Sequence, residues 1–390
     1  MIDRRSQIVT NDEARRWQRE FPGLADTVHL ANCSHGPQAR RVREALDAYL
    51  EGWRERGMDW DAWMGEVDGA RRAFARLIGA GPDEVAVSTS ASAAVASIAS
   101  ALDAGGPRRR VVTTEAEFPT VGHVWLAHRK YGLEVDWVPV RDGAVELEDY
   151  ETAIDERTAL VSATHVYYQN GFRQDLERIA ELAHASGALL LADAYQSLGT
   201  CELDVHALDI DLLVSGNLKY LLGLPGIAFI YVKKELVERF EPALTGWFGR
   251  VEPFVFDVRT LDYAADARRF ETGTPPIIAA VAARAGMEIV QEVGPARIGP
   301  RIEELSAHAI ERGGALGLEY VGPEDVRRKG ATTAFRVPAP HETEVTLKES
   351  DIIVSARGDV IRIAPHFFTT IDDIERALEE LRRSAGSVRQ

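Results

Sequence analysis

Residues 189–232 read LLLADAYQSLGTCELDVHALDIDLLVSGNLKYLLGLPGIAFIYV, and two of them could do chemistry together. The apolar run 189–192 ends in an acid, Asp193, and a second apolar segment, 211–214, leads through Ser215, Gly216 and Asn217 to Lys219. A lysine amine can condense with an aldehyde, and a carboxylate can keep a pyridine nitrogen protonated so that the ring accepts electrons. That pairing suits pyridoxal phosphate. Lys219 is flanked by Leu218, Tyr220, Leu221 and Leu222, which argues against a solvated lysine, because buried lysines are rare without a partner or a task.

The elements that must position this pair are short apolar runs closed by polar punctuation, which predict buried strands in a sheet covered on both faces. A third such run, 227–232, follows a loop holding Gly223, Pro225 and Gly226. In sheets of this kind ligands bind just beyond the strand ends, where Asp193 and Lys219 are expected.

The segments DAYQ (193–196), SGNLK (215–219) and LPGIAFIYV (224–232) resemble the PLP-dependent class V aminotransferases, a group that includes cysteine desulfurases, kynureninases, isopenicillin N epimerases and C–S lyases. The likeness runs from about Ala31 to Glu380. It implies an α/β chain of the PLP-dependent transferase fold type I, with a mostly parallel mixed sheet and a smaller α+β C-terminal domain. The expected division is an N-terminal segment at 1–25 packing near the small domain, a large PLP-binding domain at 26–275 and a small domain at 276–390. It also implies that Lys219 carries the cofactor, Asp193 faces the pyridine nitrogen and Gln196 bonds the ring hydroxyl, with Ser215 and Asn217 near the phosphate. Two departures stand out. Tyr195 replaces the usual alanine under the ring, and Leu218 stands where relatives often have histidine or tyrosine.

With 390 residues, 45% hydrophobic and 27% charged, the composition is that of an ordinary globular protein with ample core. The net charge of −16 opposes nucleic-acid and anionic-membrane partners. Two cysteines, Cys33 and Cys201, make no disulfide framework and suit a reducing cytoplasm. The charged N-terminus lacks an apolar signal-peptide core, and no apolar run is long enough to span a bilayer.

In chain order, helices are expected at 11–21 (N-cap Asn11), 40–57, 64–78, 93–102, 173–184, 276–293, 301–312 and 372–383. Further strands are expected at 85–87, 111–114, 134–138, 160–163 and 332–337, with 351–357 and 360–364 forming a hairpin about Gly358-Asp359. Trp53, Trp60 and Trp63 are expected to pack the core or a subunit interface, and Cys33 to be a small buried thiol.

Ser88-Thr89-Ser90-Ala91-Ser92 places hydroxyls and free N–H groups at a helix start, a ready phosphate site. Its position matches the family's first phosphate loop, which implies phosphate contacts from Ser90, the Ala91 backbone and Thr89. Glu117-Phe118-Pro119-Thr120 resembles the kynureninase F-P-T segment and implies that Phe118 covers the ring. HVYYQNG (165–171) resembles the kynureninase pocket strand and implies a substrate role for Tyr168, while the family's N-terminal loop implies one for His35. TGWFG (245–249) resembles G-W-W-G, implying that Trp247 lies at the cofactor, and FETGTP (270–275) resembles F-E-x-G-T-P. The latter implies that Thr274 reaches the neighbouring subunit's phosphate in an obligate homodimer with a composite site. RIAP (362–365) matches the family's substrate arginine, implying that Arg362 grips an α-carboxylate, with Arg357 beside it.

The resemblance thus implies a PLP-dependent enzyme acting on a small-molecule amino acid through an external aldimine and a Cα carbanion; no metal is called for. Desulfurases carry a nucleophilic cysteine before the substrate arginine, but here Arg357-Gly358-Asp359-Val360-Ile361 turns directly, so persulfide transfer through a protein thiolate is not expected. A β-elimination lyase, on a C–S or related bond, is favoured over an aminotransferase or epimerase. A non-enzymatic PLP-binding regulator is disfavoured, because both Lys219 and Asp193 are present.

Overall fold

Seven short strands build the main sheet of the computed structural model, which describes residues 8–387. Their spatial order is Val85–Ser88, Ala228–Val232, Leu212–Gly216, Leu189–Asp193, Thr158–Thr164, Arg110–Thr114 and Glu134–Val138. Ala228–Val232 runs antiparallel to both its neighbours, and the remaining pairings are parallel. Successive strand residues point to opposite faces. Leu190, Ala192, Leu213, Phe229 and Tyr231 therefore enter one core layer, while Leu191, Leu212, Val214, Ile230 and Val232 enter the other. The first layer is closed by helices Arg40–Arg56, Trp60–Leu77, Leu176–Ala185 and Ile277–Val293, the second by Ala91–Ser100 and Pro119–His128. Phe74 stacks on Phe229 with ring centroids 4.4 Å apart, locking helix to sheet.

A smaller antiparallel sheet follows in the order Ser355–Arg357, Val360–Ile363, Thr333–Arg336, Glu319–Val321, backed by helices Pro295–Ala315, Pro340–Glu349 and Ile371–Ser387. The expected strand 351–357 is split. Ile352–Ile353 pairs in parallel with Val28–His29, and only Ser355–Arg357 forms the hairpin with Val360–Ile363. The N-terminal chain is thereby stitched to the C-terminal unit, and Ala31 bridges to Ala364. Residues 1–7 of the expected N-terminal segment lie outside the described residues.

Several boundaries differ from expectation for local reasons. The first helix is Asn11–Gln18 and is capped by Thr10, whose side chain and Glu13 form a reciprocal capping box. Asn11 instead accepts from Arg301 Nη2 at 2.6 Å. The helix expected at 64–78 begins at Trp60, because Asp59 accepts the Ala62 N–H. The helix expected at 301–312 begins at Pro295, and Pro300 lies within it. Trp60 packs with Trp63, Trp247 and Phe254, whereas Trp53 is 56% exposed.

Glu271, buried beside the main sheet, accepts from Arg71 Nη2 at 2.7 Å and from the Val87 N–H at 3.0 Å, tying the segment after Phe270 to the strand Val85–Ser88. Removing one partner of a buried pair leaves an uncompensated charge. Glu271→Ala should therefore lower the unfolding free energy by about 3–5 kcal/mol in urea denaturation; a loss within experimental error would show the pair to be dispensable.

Candidate active site

The parallel strands end together, and the antiparallel strand begins where they end, so Thr164, Asp193, the Lys219 loop, Ile227 and the Thr89–Ser92 turn meet at one end of the sheet. Between them lies a cleft of about 300 Å³. Thr89, Ser90, Ala91, Phe118, Tyr168, Asp193, Gln196 and Lys219 all line it, so most of the residues singled out from sequence converge.

Lys219 Nζ sits between two aromatic rings, 4.1 Å from the Tyr195 centroid and 5.7 Å from that of Phe118. Burial pushes its pKa down to about 8, opposed by the attraction of Asp193. Burial raises Asp193 above the usual carboxylate range, partly offset by the Tyr195 N–H donating to Oδ1 at 2.8 Å. Tyr195 is thus no intruder: its ring lies where any Cβ on residue 216 would stand, which only glycine permits. Phe118 and Tyr168 meet edge to face at 5.3 Å over the cleft.

The Ser88–Ser92 turn leads into a helix, as expected. Ser90 caps the helix Ala91–Ser100 through the Ala93 N–H at 3.1 Å, placing the helix start at the cleft wall. Gln196 donates from Nε2 to the Cys33 carbonyl at 3.0 Å and leaves Oε1 buried without a partner. An orphaned buried acceptor, a helix N-terminus, a desolvated amine and a buried carboxylate are the groups that would receive the ring hydroxyl, phosphate, aldehyde and pyridine nitrogen of pyridoxal phosphate, so the residues present fit that cofactor.

Other expected residues stand elsewhere. Ser215 is buried and donates to the Gly216 carbonyl, and Asn217 turns its amide against Gly223; neither lines the cleft. Trp247 packs with Trp60, Phe248, Phe254 and Phe256, away from this cleft, and Thr274 is exposed on the surface of the single chain. The His35 side chain is exposed, and its carbonyl accepts from His29 Nε2. Arg362 is only 1% exposed and already committed. Nη1 donates to the Tyr168 carbonyl at 2.7 Å, and Nη2 donates to the hydroxyls of Ser34 (2.9 Å) and Ser355 (2.6 Å). A free bidentate fork is therefore absent, and the arginine braces the pocket strand. Arg357 is exposed, with no ion pair among the described residues.

Three contributors were not foreseen. Cys33 is remote in sequence, yet Lys219 feels its thiol and Gln196 holds its carbonyl. Glu117 is buried behind Asp193, accepting from Ser162 at 3.1 Å, with burial and the neighbouring Asp193 pushing its pKa well above the usual range. His366 reaches the lysine loop from the C-terminal part of the chain. Only Glu117 carried a sequence signal, an acid placed directly before Phe118, the expected ring cover.

Residues 38–370 match the family model for class V aminotransferases. The chain is 38% identical to the uncharacterized aminotransferase YcbU of Bacillus subtilis, covering 94% of this chain and 96% of that protein. It is 29% identical to the kynureninase of Deinococcus radiodurans over 93% and 91% of the two chains. The cysteine desulfurase of Thermococcus onnurineus superposes with a TM-score of 0.86 at 24% identity, covering 95% of this chain and 98% of that one. No described helix is long and apolar enough to cross a membrane.

Acylation of Lys219 Nζ in cofactor-free protein, followed by mass spectrometry of the peptide, should show a pH midpoint near 8, because only the neutral amine reacts. Asp193 favours the charged amine, so Asp193→Asn should move the midpoint to lower pH. A midpoint in the ordinary lysine range would mean that the amine is solvated.

Proposed function

We propose that this chain, which belongs to the class V aminotransferase family and is a PLP-dependent enzyme of that family, is a lyase that acts on an amino acid at Cα with Lys219 as the catalytic base and breaks a C–S or related bond at Cβ. The observation that carries this reading is the desolvated Lys219 amine held between the rings of Tyr195 and Phe118 beside Asp193. When bound, pyridoxal phosphate supplies an aldehyde for attachment and a ring that accepts the electron pair from Cα.

The chain's own residues do the rest. Lys219, with a pKa near 8, is neutral often enough near neutral pH to take a proton from Cα and pass it to the group leaving Cβ. Asp193 would keep a proton on the pyridine nitrogen. Ser90, the Ala91 N–H and Thr89 would hold the phosphate, and Gln196 Oε1, which has no partner among the described residues, would accept from the ring hydroxyl. Phe118 and Tyr168 cover the cleft and exclude water. Arg362 and Arg357 both depress the Lys219 pKa, so their positive charge reaches the amine and would attract an α-carboxylate brought beside it. Arg362 contributes through its field and by holding Tyr168, with Arg357 free to meet the anion.

A lyase is favoured over a transaminase because the segments around Phe118, Tyr168 and Trp247 resemble kynureninase, while Leu218 replaces the residue before the lysine. The 38% identity to a protein named an aminotransferase supports transamination as the second reading. A cysteine desulfurase shares the fold, so family membership does not carry the exclusion of persulfide chemistry. That exclusion rests on the cysteines: Cys33 and Cys201 are both buried, and neither lies on the turn before Arg362. A homodimer is proposed from the exposed apolar face of Phe254, Val255, Phe256 and Val258, which a second copy would cover and which adjoins Trp247. Thr274, on the same side of the chain, then serves the partner's phosphate.

Lys219→Ala should abolish borohydride-trapped attachment of the cofactor; a trapped mass on another residue would move the assignment. Screening amino acids for released pyruvate or ammonia against keto-acid-dependent amino transfer decides between lyase and transaminase. Arg357→Ala should raise KM about tenfold or more with kcat little changed, as expected for a lost charged hydrogen bond. An unchanged KM would remove it from substrate binding.

A further inference from the structure

We infer that His366 is a positioning residue for Lys219: its imidazole clamps the Tyr220 carbonyl and so fixes the direction in which the lysine amine leaves its loop. The inference rests on the reading of Lys219 as the cofactor-bearing residue.

His366 is fully buried, 147 residues beyond Lys219 in the chain (366 minus 219). Nδ1 accepts the Phe367 N–H at 2.8 Å, which puts the ring proton on Nε2, and Nε2 lies 2.9 Å from the Tyr220 carbonyl oxygen. Burial pushes the pKa of this histidine down to about 4, so the neutral tautomer persists wherever the enzyme would work.

The loop it holds has no regular structure to hold itself. Between the strand end Gly216 and Gly223, each carbonyl from Asn217 to Tyr220 is taken individually. The Gly223 N–H donates to the Asn217 carbonyl at 3.0 Å, Gly36 to that of Leu218 at 3.0 Å and Leu222 to that of Lys219 at 3.1 Å. His366 takes Tyr220, and the Tyr220 hydroxyl lies 3.4 Å from Thr332 Oγ1. Leu222 sits at φ 60°, a left-handed conformation that a branched residue adopts only when its surroundings impose it. On the opposite side, a Cβ on Gly36 would stand 2.7 Å from the Lys219 carbonyl oxygen. The lysine is thus gripped from the N-terminal loop by Gly36 and from the C-terminal part by His366. Without the clamp the loop is free to turn Nζ out from between the Tyr195 and Phe118 rings into water.

The test uses the full chain as His366→Gln, which keeps an N–H donor, His366→Leu, which does not, and Gly36→Ala, which displaces the loop from the other side. Each is read by the pH midpoint of Lys219 acylation after the cofactor is removed, by the dissociation constant for pyridoxal phosphate on adding it back and by thermal melting. His366→Leu and Gly36→Ala should raise the midpoint by about one pH unit and weaken cofactor binding about tenfold. His366→Gln should stay close to wild type in both. A His366→Leu protein that melts earlier with midpoint and binding unchanged would make His366 merely structural and overturn the inference. Should His366→Leu not fold, a Gly36→Ala protein with wild-type midpoint and binding overturns it equally. If wild type itself takes up no pyridoxal phosphate, the cofactor reading has failed, and the acylation midpoints still decide the clamp.

Discussion

Withdrawal of one amine from water governs the rest of the site. Taking Lys219 from the ordinary lysine range to about pH 8 reflects a desolvation penalty that Asp193 only partly offsets. That environment needs a ring beneath the ammonium, which Tyr195 supplies because residue 216 lacks a side chain. It needs a covering ring, which Phe118 supplies from the turn after the strand Arg110–Thr114. It also needs a loop that cannot swing outward. The parallel sheet contributes the common end at which these demands can be met at once, since a ligand there is approached by several strand ends rather than one.

Much of this was legible in the sequence because it is written in short-range terms. A run of apolar residues closed by an acid is a buried parallel strand, and Glu134–Val138 falls where expected while others shift by one to three residues. Lys219 betrayed its burial through Leu218, Tyr220, Leu221 and Leu222. Three helices escaped. Pro119–His128 carries a mid-helix glycine and apolar residues on nearly every side. Leu147–Ala153 is too short to show a period. Pro340–Glu349 buries only Thr343 and Leu347, too few apolar positions to show a period.

Direction was less legible than position. Ser215 and Asn217 lie within a few residues of Lys219, yet one faces its own backbone and the other faces Gly223, because orientation in a loop follows tertiary contacts rather than a period of two. Arg362 stands at the expected place, but its guanidinium is spent on a carbonyl and two hydroxyls contributed by segments 194, 328 and 7 residues away. Pairings across such separations leave no local pattern. Cys33 at the site and His366 on the Tyr220 carbonyl belong to the same class. Trp247 is the converse: its motif is local, and the aromatic cluster that engages it is not.

Two buried acids stand behind the cleft with a single amine before them. Glu117 and Asp193 are both desolvated, and each would suffer from the other's charge. Lys219 acts on Asp193, whereas Glu117 has only the Ser162 hydroxyl at 3.1 Å and a second oxygen without a partner. The negative charge therefore rests on Asp193 and the proton on Glu117. Above pH 8 the amine is neutral and Asp193 loses the counter-charge that Lys219 supplies, which a buried carboxylate tolerates poorly. A protonated pyridine nitrogen restores that balance. The acid proposed to hold this proton would thus be stabilised by the same group it serves, and the neutral Glu117 behind it keeps a second negative charge from competing.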